Sequence, residues 1–205
     1  MIQRGYKVVV IINLLIFMAA MVGFITPSQK EWYYTMLPFY FVVSAFILMA
    51  FAKQELKKTA IDALFVILFS LLLEGITIYL GWIDYSYHWS FGMSIWPISM
   101  GFYWYALSYS TSVIVSKIPA HYILAVITNT IVVMGLHILV CIPLIKLDLI
   151  LSPHTANWMM YAIPTCIATM NSLFLVYRKP CNNPLALYYL GGIMVFFCGL
   201  ISFIN

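Results

Sequence analysis

Charge is what this sequence has least of. Only 8% of its 205 residues are Asp, Glu, Lys or Arg, against 64% hydrophobic, where a soluble domain carries about 25% charged residues. With mean hydropathy at +1.01, one core in a chain this long cannot hide so much apolar surface from water, and lipid is the solvent that accepts it. The formal charge of +4 does not point to nucleic acid, because the Lys and Arg residues sit between apolar runs, where membrane proteins place them. Cys141, Cys166, Cys181 and Cys198 are scattered. Without a C-x-x-C pair there is no zinc-ribbon or thioredoxin-like signal.

Other absences narrow the chemistry. There is no H-E-x-x-H, no P-loop and no G-x-S-x-G, which excludes zincin-type proteolysis, P-loop phosphate binding and α/β-hydrolase chemistry. The last apolar segment has no Lys, which excludes a retinal Schiff base of the rhodopsin kind. No basic cluster lies inside an apolar segment, which disfavours a voltage sensor. The halves of the chain do not repeat each other, which weighs against transporters built from duplicated halves.

What the sequence does have is long apolar runs. A spanning helix needs about 20 mainly apolar residues, and seven segments qualify: 7–25, 36–52, 60–80, 94–115, 122–145, 158–177 and 185–204. In hydrocarbon only helices or a closed barrel satisfy the backbone. The expected fold is therefore all-α, a single polytopic helical bundle over 1–205. The first run follows Arg4 and Lys7 as a signal peptide would, but it continues to Ile25 without an A-x-A site, so it reads as a retained helix. Arg4, Lys7, Lys53, Lys57, Lys58, Lys117, Arg178 and Lys179 fall on one side of this topology and only Lys30 and Lys146 on the other. The positive-inside rule then makes the N-terminus cytoplasmic and the C-terminus external. Connections 81–93 and 146–157 lie on the outer face.

Glu74 follows the apolar run LFSLLL, in the outer half of the membrane and about two turns below the surface. An ion at mid-membrane costs roughly 2.5–3.5 kcal/mol on insertion scales, so this carboxyl is protonated, paired or facing a polar cavity. It reads as a proton donor or acceptor, or as one end of an interhelical hydrogen bond. Asp84 follows in the outer loop with Tyr85, Tyr87, His88 and Trp89, aromatics that equally suit an interfacial belt. Trp96, Tyr103 and Trp104 share a helix face by their spacing. They form either an aromatic wall able to stabilise a carbocation or ordinary packing. His137 reads as a hydrogen-bonding group or a substrate contact. Met134, His137 and Cys141 share a face and have the softness for Cu(I), but methionine is abundant and no metal is assigned. Asp148 is a second acid near the outer surface, facing either Glu74 or Lys146. Asn171 reads as structural.

Glu74, Gly75, Gly81, Tyr85, Tyr87, His88, Gly92, Pro97 and Trp104, followed by Asp148, Pro153 and Trp158, resemble the pattern of the bacterial and archaeal carotenoid biosynthesis family that includes the carotenoid hydratases. The resemblance covers about half of the chain. It implies a membrane enzyme, in a bacterial inner membrane, whose acids protonate a C=C bond of an isoprenoid. Glu74 would donate the proton and Asp84 or Asp148 would position water or accept a proton. Tyr85, His88, Trp96, Tyr103, Trp104 and His137 would contact the apolar substrate, with no cofactor. Integral-membrane terpene cyclases follow similar logic. Two other readings stay open: a proton-coupled transporter or channel, whose symmetry a homodimer would supply, and a non-enzymatic assembly subunit.

Overall fold

The computed structural model describes residues 11, 15, 18, 30–52, 55–85, 96–146, 150–151, 159–180 and 182–204. Six helices are described in full: α1 (Lys30–Ala50), α2 (Leu56–Tyr79), α3 (Trp96–Val115), α4 (Tyr122–Lys146), α5 (Met159–Arg178) and α6 (Leu185–Ile204). Their order and lengths follow the apolar segments, and α1 starts earlier than its apolar run, at Lys30. Of the predicted first span, only Ile11, Leu15 and Met18 are described, each helical. Two short strands, β1 (Asp84–Tyr85) and β2 (Ile150–Leu151), pair antiparallel with Asp84 opposite Leu151 and Tyr85 opposite Ile150. This ladder ties the connection after α2 to the connection after α4.

Helix α2 shows which solvent the bundle is built for. Its buried side carries Thr59, Asp62, Ser70, Glu74 and Thr77. Leu64, Phe65, Leu68, Leu72 and Ile76 are exposed. That is the reverse of a soluble amphipathic helix, and it is stable where the surroundings are hydrocarbon. Three helices are long and apolar enough to cross a membrane, Leu56–Tyr79, Tyr122–Lys146 and Leu185–Ser202. The chain is a helical membrane protein.

Helix α3 is the bundle's axis and packs against each of the other five helices. It is rich in hydroxyls and buried over most of its surface, with Ile98 its exposed residue, so little of it meets lipid and it need not be apolar by hydropathy. Three of its hydroxyls bond within the helix. Ser99 Oγ donates to the Trp96 carbonyl (2.8 Å), Thr111 Oγ1 to the Leu107 and Ser108 carbonyls (3.1 and 3.0 Å) and Ser112 Oγ to the Tyr109 carbonyl (2.8 Å). This back-bonding lets a polar sequence remain helical away from water.

At one end of the bundle, polar side chains fasten the helices together. Arg178 Nε donates to Asp62 Oδ1 (2.8 Å), joining α5 to α2. Lys58 Nζ donates to the Lys179 carbonyl (3.1 Å). Asn183 Nδ2 donates to the Leu48 carbonyl (3.0 Å), while its Oδ1 accepts from the Leu185 amide (3.1 Å). Asn183 thus caps α6 and, with Pro184 next to it, fixes where that helix begins.

Gly101 sets the distance between α2 and α3. A Cβ there would lie 2.7 Å from Leu71 Cγ and 3.2 Å from the Ile67 carbonyl oxygen, closer than either side can yield without moving backbone. Gly101→Ala is expected to part the two helices and destabilise the bundle by about 1–3 kcal/mol, the usual cost of overpacking. Unfolding of the detergent-solubilised protein measures it, and an unchanged midpoint would show that the contact is not tight.

Candidate functional site

Four helices and one loop residue build a cavity that carries both acidic and imidazole side chains. Glu74 comes from α2, Met100 from α3, His137, Ile138, Cys141, Ile142 and Ile145 from α4, Tyr161 and Pro164 from α5, and Ile83 from the turn before β1. The cavity measures about 50 Å³. A bound water needs about 10–15 Å³ on the same scale, so the space admits a few heavy atoms and not a long chain. Its polar lining lies deep: Glu74 is 4% exposed and His137 5%. Its exposed lining is apolar or aromatic, with Ile142 and Ile145 on α4 and Tyr161 on α5. Among the described residues, the exposed lining thus lies toward the end of α4 and the start of α5.

Glu74 accepts a hydrogen bond at Oε1 from Trp104 Nε1 (2.9 Å). A protonated carboxyl held this way carries its own proton on Oε2. The Trp104 ring lies against the His137 imidazole, with centroids 4.4 Å apart and planes 30° apart. Tyr103 Oη sits 3.3 Å from His137 Nδ1, and Cys141 Sγ sits 3.3 Å from His137 Nε2. The tyrosine hydroxyl and the thiol can each donate or accept, so both imidazole nitrogens have a partner in either neutral tautomer. His137 and Cys141 are one turn apart on α4, and Tyr103 and Trp104 are neighbours on α3. Phe41 of α1 backs Tyr103 with ring centroids 4.8 Å apart.

The cluster brings together Glu74, Tyr103, Trp104 and His137, which the sequence singles out on three separate segments. Trp96 is buried at the start of α3, outside the residues that line the cavity. Asp84 and Tyr85 are placed by the backbone of β1, beside the cavity residue Ile83. His88 and Asp148 lie outside the described residues. Met134 is partly buried against the core rather than in the cavity, so the soft-ligand face does not converge. Among the described residues, no group of three or more His, Cys, Asp or Glu side chains is arranged to hold a metal ion. Asn171 donates to Ser70 Oγ (3.2 Å) as a helix-to-helix tie.

Sequence reasoning missed Met100, Tyr161 and Pro164 as cavity residues. The proline carried a signal: inside an apolar segment it removes an amide donor and opens the backbone of α5 locally. It also passed over Asp62, an acid within a predicted span whose partner lies 116 residues away. Comparison with protein-family models, curated proteins and solved structures finds no match to this chain.

Trp104→Phe removes the donor to Glu74 together with one ring of the indole. The hydrogen bond is expected to account for about 0.6 kcal/mol and at most about 1.7 of the loss, as between other membrane helices, the rest being lost packing. The hydrogen-bond part should vanish in a Glu74→Met background. Denaturant titration of the four proteins of this double-mutant cycle checks the coupling, and additive losses would mean that the bond contributes nothing.

Proposed function

We propose that the chain is a multi-pass protein of the bacterial inner membrane that uses Glu74 as an acid on an unsaturated apolar lipid, an isoprenoid by the resemblance to the carotenoid hydratases. In this reading segment 7–25 is a seventh span, the N-terminus is cytoplasmic and the β1–β2 ladder faces outward. One observation carries the reading: a carboxyl group held by an indole lines a cavity together with an imidazole, and the cavity's exposed walls among the described residues, Ile142, Ile145 and Tyr161, are apolar or aromatic. A substrate dissolved in the bilayer enters between α4 and α5 without crossing water. The small cavity takes the reacting double bond and its substituents, and the remainder of the chain stays in the hydrocarbon.

The chemistry follows from the placement. Glu74 transfers its proton to one alkene carbon, the π pair forms the new C–H bond, and the other carbon becomes cationic. The carboxylate left on Glu74 keeps the Trp104 hydrogen bond, which is stronger to an anion than to a neutral acid. Tyr161, the aromatic residue lining the cavity, offers a π face to a nearby cation, while Trp104 and Tyr103 hold Glu74 and His137 from behind. In a hydration, water adds to the cation and the proton it sheds returns to Glu74. In a cyclisation, a second double bond attacks the cation and an adjacent C–H gives up the proton to Glu74. Either way the acid is regenerated and no redox cofactor takes part. Asp84, next to Ile83, and Asp148 are the candidates for placing water at the mouth.

Mass spectrometry of lipids co-purifying in mild detergent tests this reading, with wild type compared to Glu74→Gln. The expected result is a specific isoprenoid or polyene, with its unreacted form accumulating in the variant. Bulk phospholipid alone, unchanged by the substitution, sinks the reading. If it comes with proton-coupled uptake into liposomes that Glu74→Ala abolishes, transport takes its place.

A further inference from the structure

Directly inward of Glu74 lies a second polar layer, away from the cavity and its mouth. Ser70 is one turn before Glu74 on the same side of α2, and its Oγ accepts from Asn171 Nδ2 of α5 at 3.2 Å. The next residue on α5, Ser172, accepts at Oγ from Asn129 Nδ2 of α4 at 3.0 Å. Ser70, Asn129, Asn171 and Ser172 are all fully buried. Both amides spend their NH₂ groups on serine. Their carbonyl oxygens, Asn129 Oδ1 and Asn171 Oδ1, meet no hydrogen-bond donor.

Two such orphans are expensive, since a buried acceptor without a donor has lost its hydration and gained nothing in return. What these oxygens call for is a small ligand that donates. Water fits: it brings two donors, suits a site lined by amides and hydroxyls, and is what buried polar groups most often recruit. The geometry reaches Glu74 as well. Four residues of helix rise about 6 Å, and two hydrogen bonds of about 2.8 Å through one oxygen span nearly the same length.

We propose that Asn129 and Asn171, with Ser70 and Ser172, form a water site one helical turn inward of Glu74, and that this water exchanges the Glu74 proton. The inference rests on the reading of Glu74 as a protonated acid and adds the path by which its proton exchanges. The water gives Glu74 one proton as it accepts another, so nothing is consumed, and the proton spent in each turnover still returns to Glu74 from the reaction itself. The lipid-facing mouth then need not admit bulk water. Asn171 is a positioning residue here, holding the water in line with the carboxyl rather than touching substrate.

Hydrogen–deuterium exchange at the Glu74 carboxyl tests the proposal without any substrate. Infrared spectra of the protein in lipid nanodiscs identify the protonated carboxyl band that Glu74→Gln removes, and transfer to D₂O gives its exchange rate. Asn171→Leu and Asn129→Leu are each expected to slow that exchange about tenfold. Ser70→Ala, a smaller change that leaves the amide in place but unanchored, should slow it several-fold if either leucine variant fails to fold. Exchange within twofold of wild type in every folded variant overturns the water site and leaves the lipid chemistry standing. A band that exchanges normally while Glu74→Gln leaves lipid turnover intact does the reverse to the lipid chemistry. If Glu74→Gln removes no carboxyl band, Glu74 is ionised and the proposal falls.

Discussion

Helix α3 carries too many hydroxyls and indole and phenol groups to face hydrocarbon, and the rest of the bundle is arranged around that constraint. Five helices surround it. Their buried polar residues include Glu74, which meets α3, and Ser70, Asn129, Asn171 and Ser172, which meet neighbouring helices. The polarity of α2 follows from this, since an acid on its lipid-facing side would have nothing to pair with. The short interhelical distance at Gly101 follows too: a central helix can be sheathed on every side only if some neighbour comes close enough to seal the gap.

The candidate site is a by-product of the same arrangement. A carboxyl in a membrane helix must find a donor, and the nearest elements that can supply one are the aromatic residues of the central helix. Trp104 meets that need for Glu74, and in doing so lays its ring against His137. One hydrogen bond therefore fixes the carboxyl, the aromatic face and the imidazole relative to one another. Rigid first contacts of this kind are what acid catalysis on a poorly held apolar substrate requires, because such a substrate offers few polar handles of its own.

Much of the architecture was legible from hydropathy alone, for a physical reason. Lipid imposes one length and one backbone solution on each span, so 122–145 and 185–204 read almost as the helices α4 and α6 observed. Segment 94–115 read correctly as a helix even though α3 lacks the hydropathy of a lipid-facing span, because its length and flanking turns still marked it. At the site, Glu74, Tyr103, Trp104 and His137 stood out one by one as polar or aromatic groups at membrane depth. Their partnership did not, since pairing depends on how α2, α3 and α4 rotate about their axes. The Asp62–Arg178 pair was invisible for the same reason, and Pro164 looked like a helix irregularity rather than a wall of a cavity. The hydroxyls of α3 looked like glue between helices, yet several are spent on their own backbone.

The two acids buried in α2 differ in how long a growing chain must wait to neutralise them. Synthesis runs from the N-terminus, so α2 enters the membrane before either partner exists. Glu74, toward the far end of the helix and deep in the bundle, finds Trp104 only 30 residues later, when the very next full helix arrives. Asp62, as deeply buried in the finished bundle, waits 116 residues for Arg178. The order of the chain thus pairs one acid of α2 almost at once and leaves the other without its partner until the fifth described helix is made.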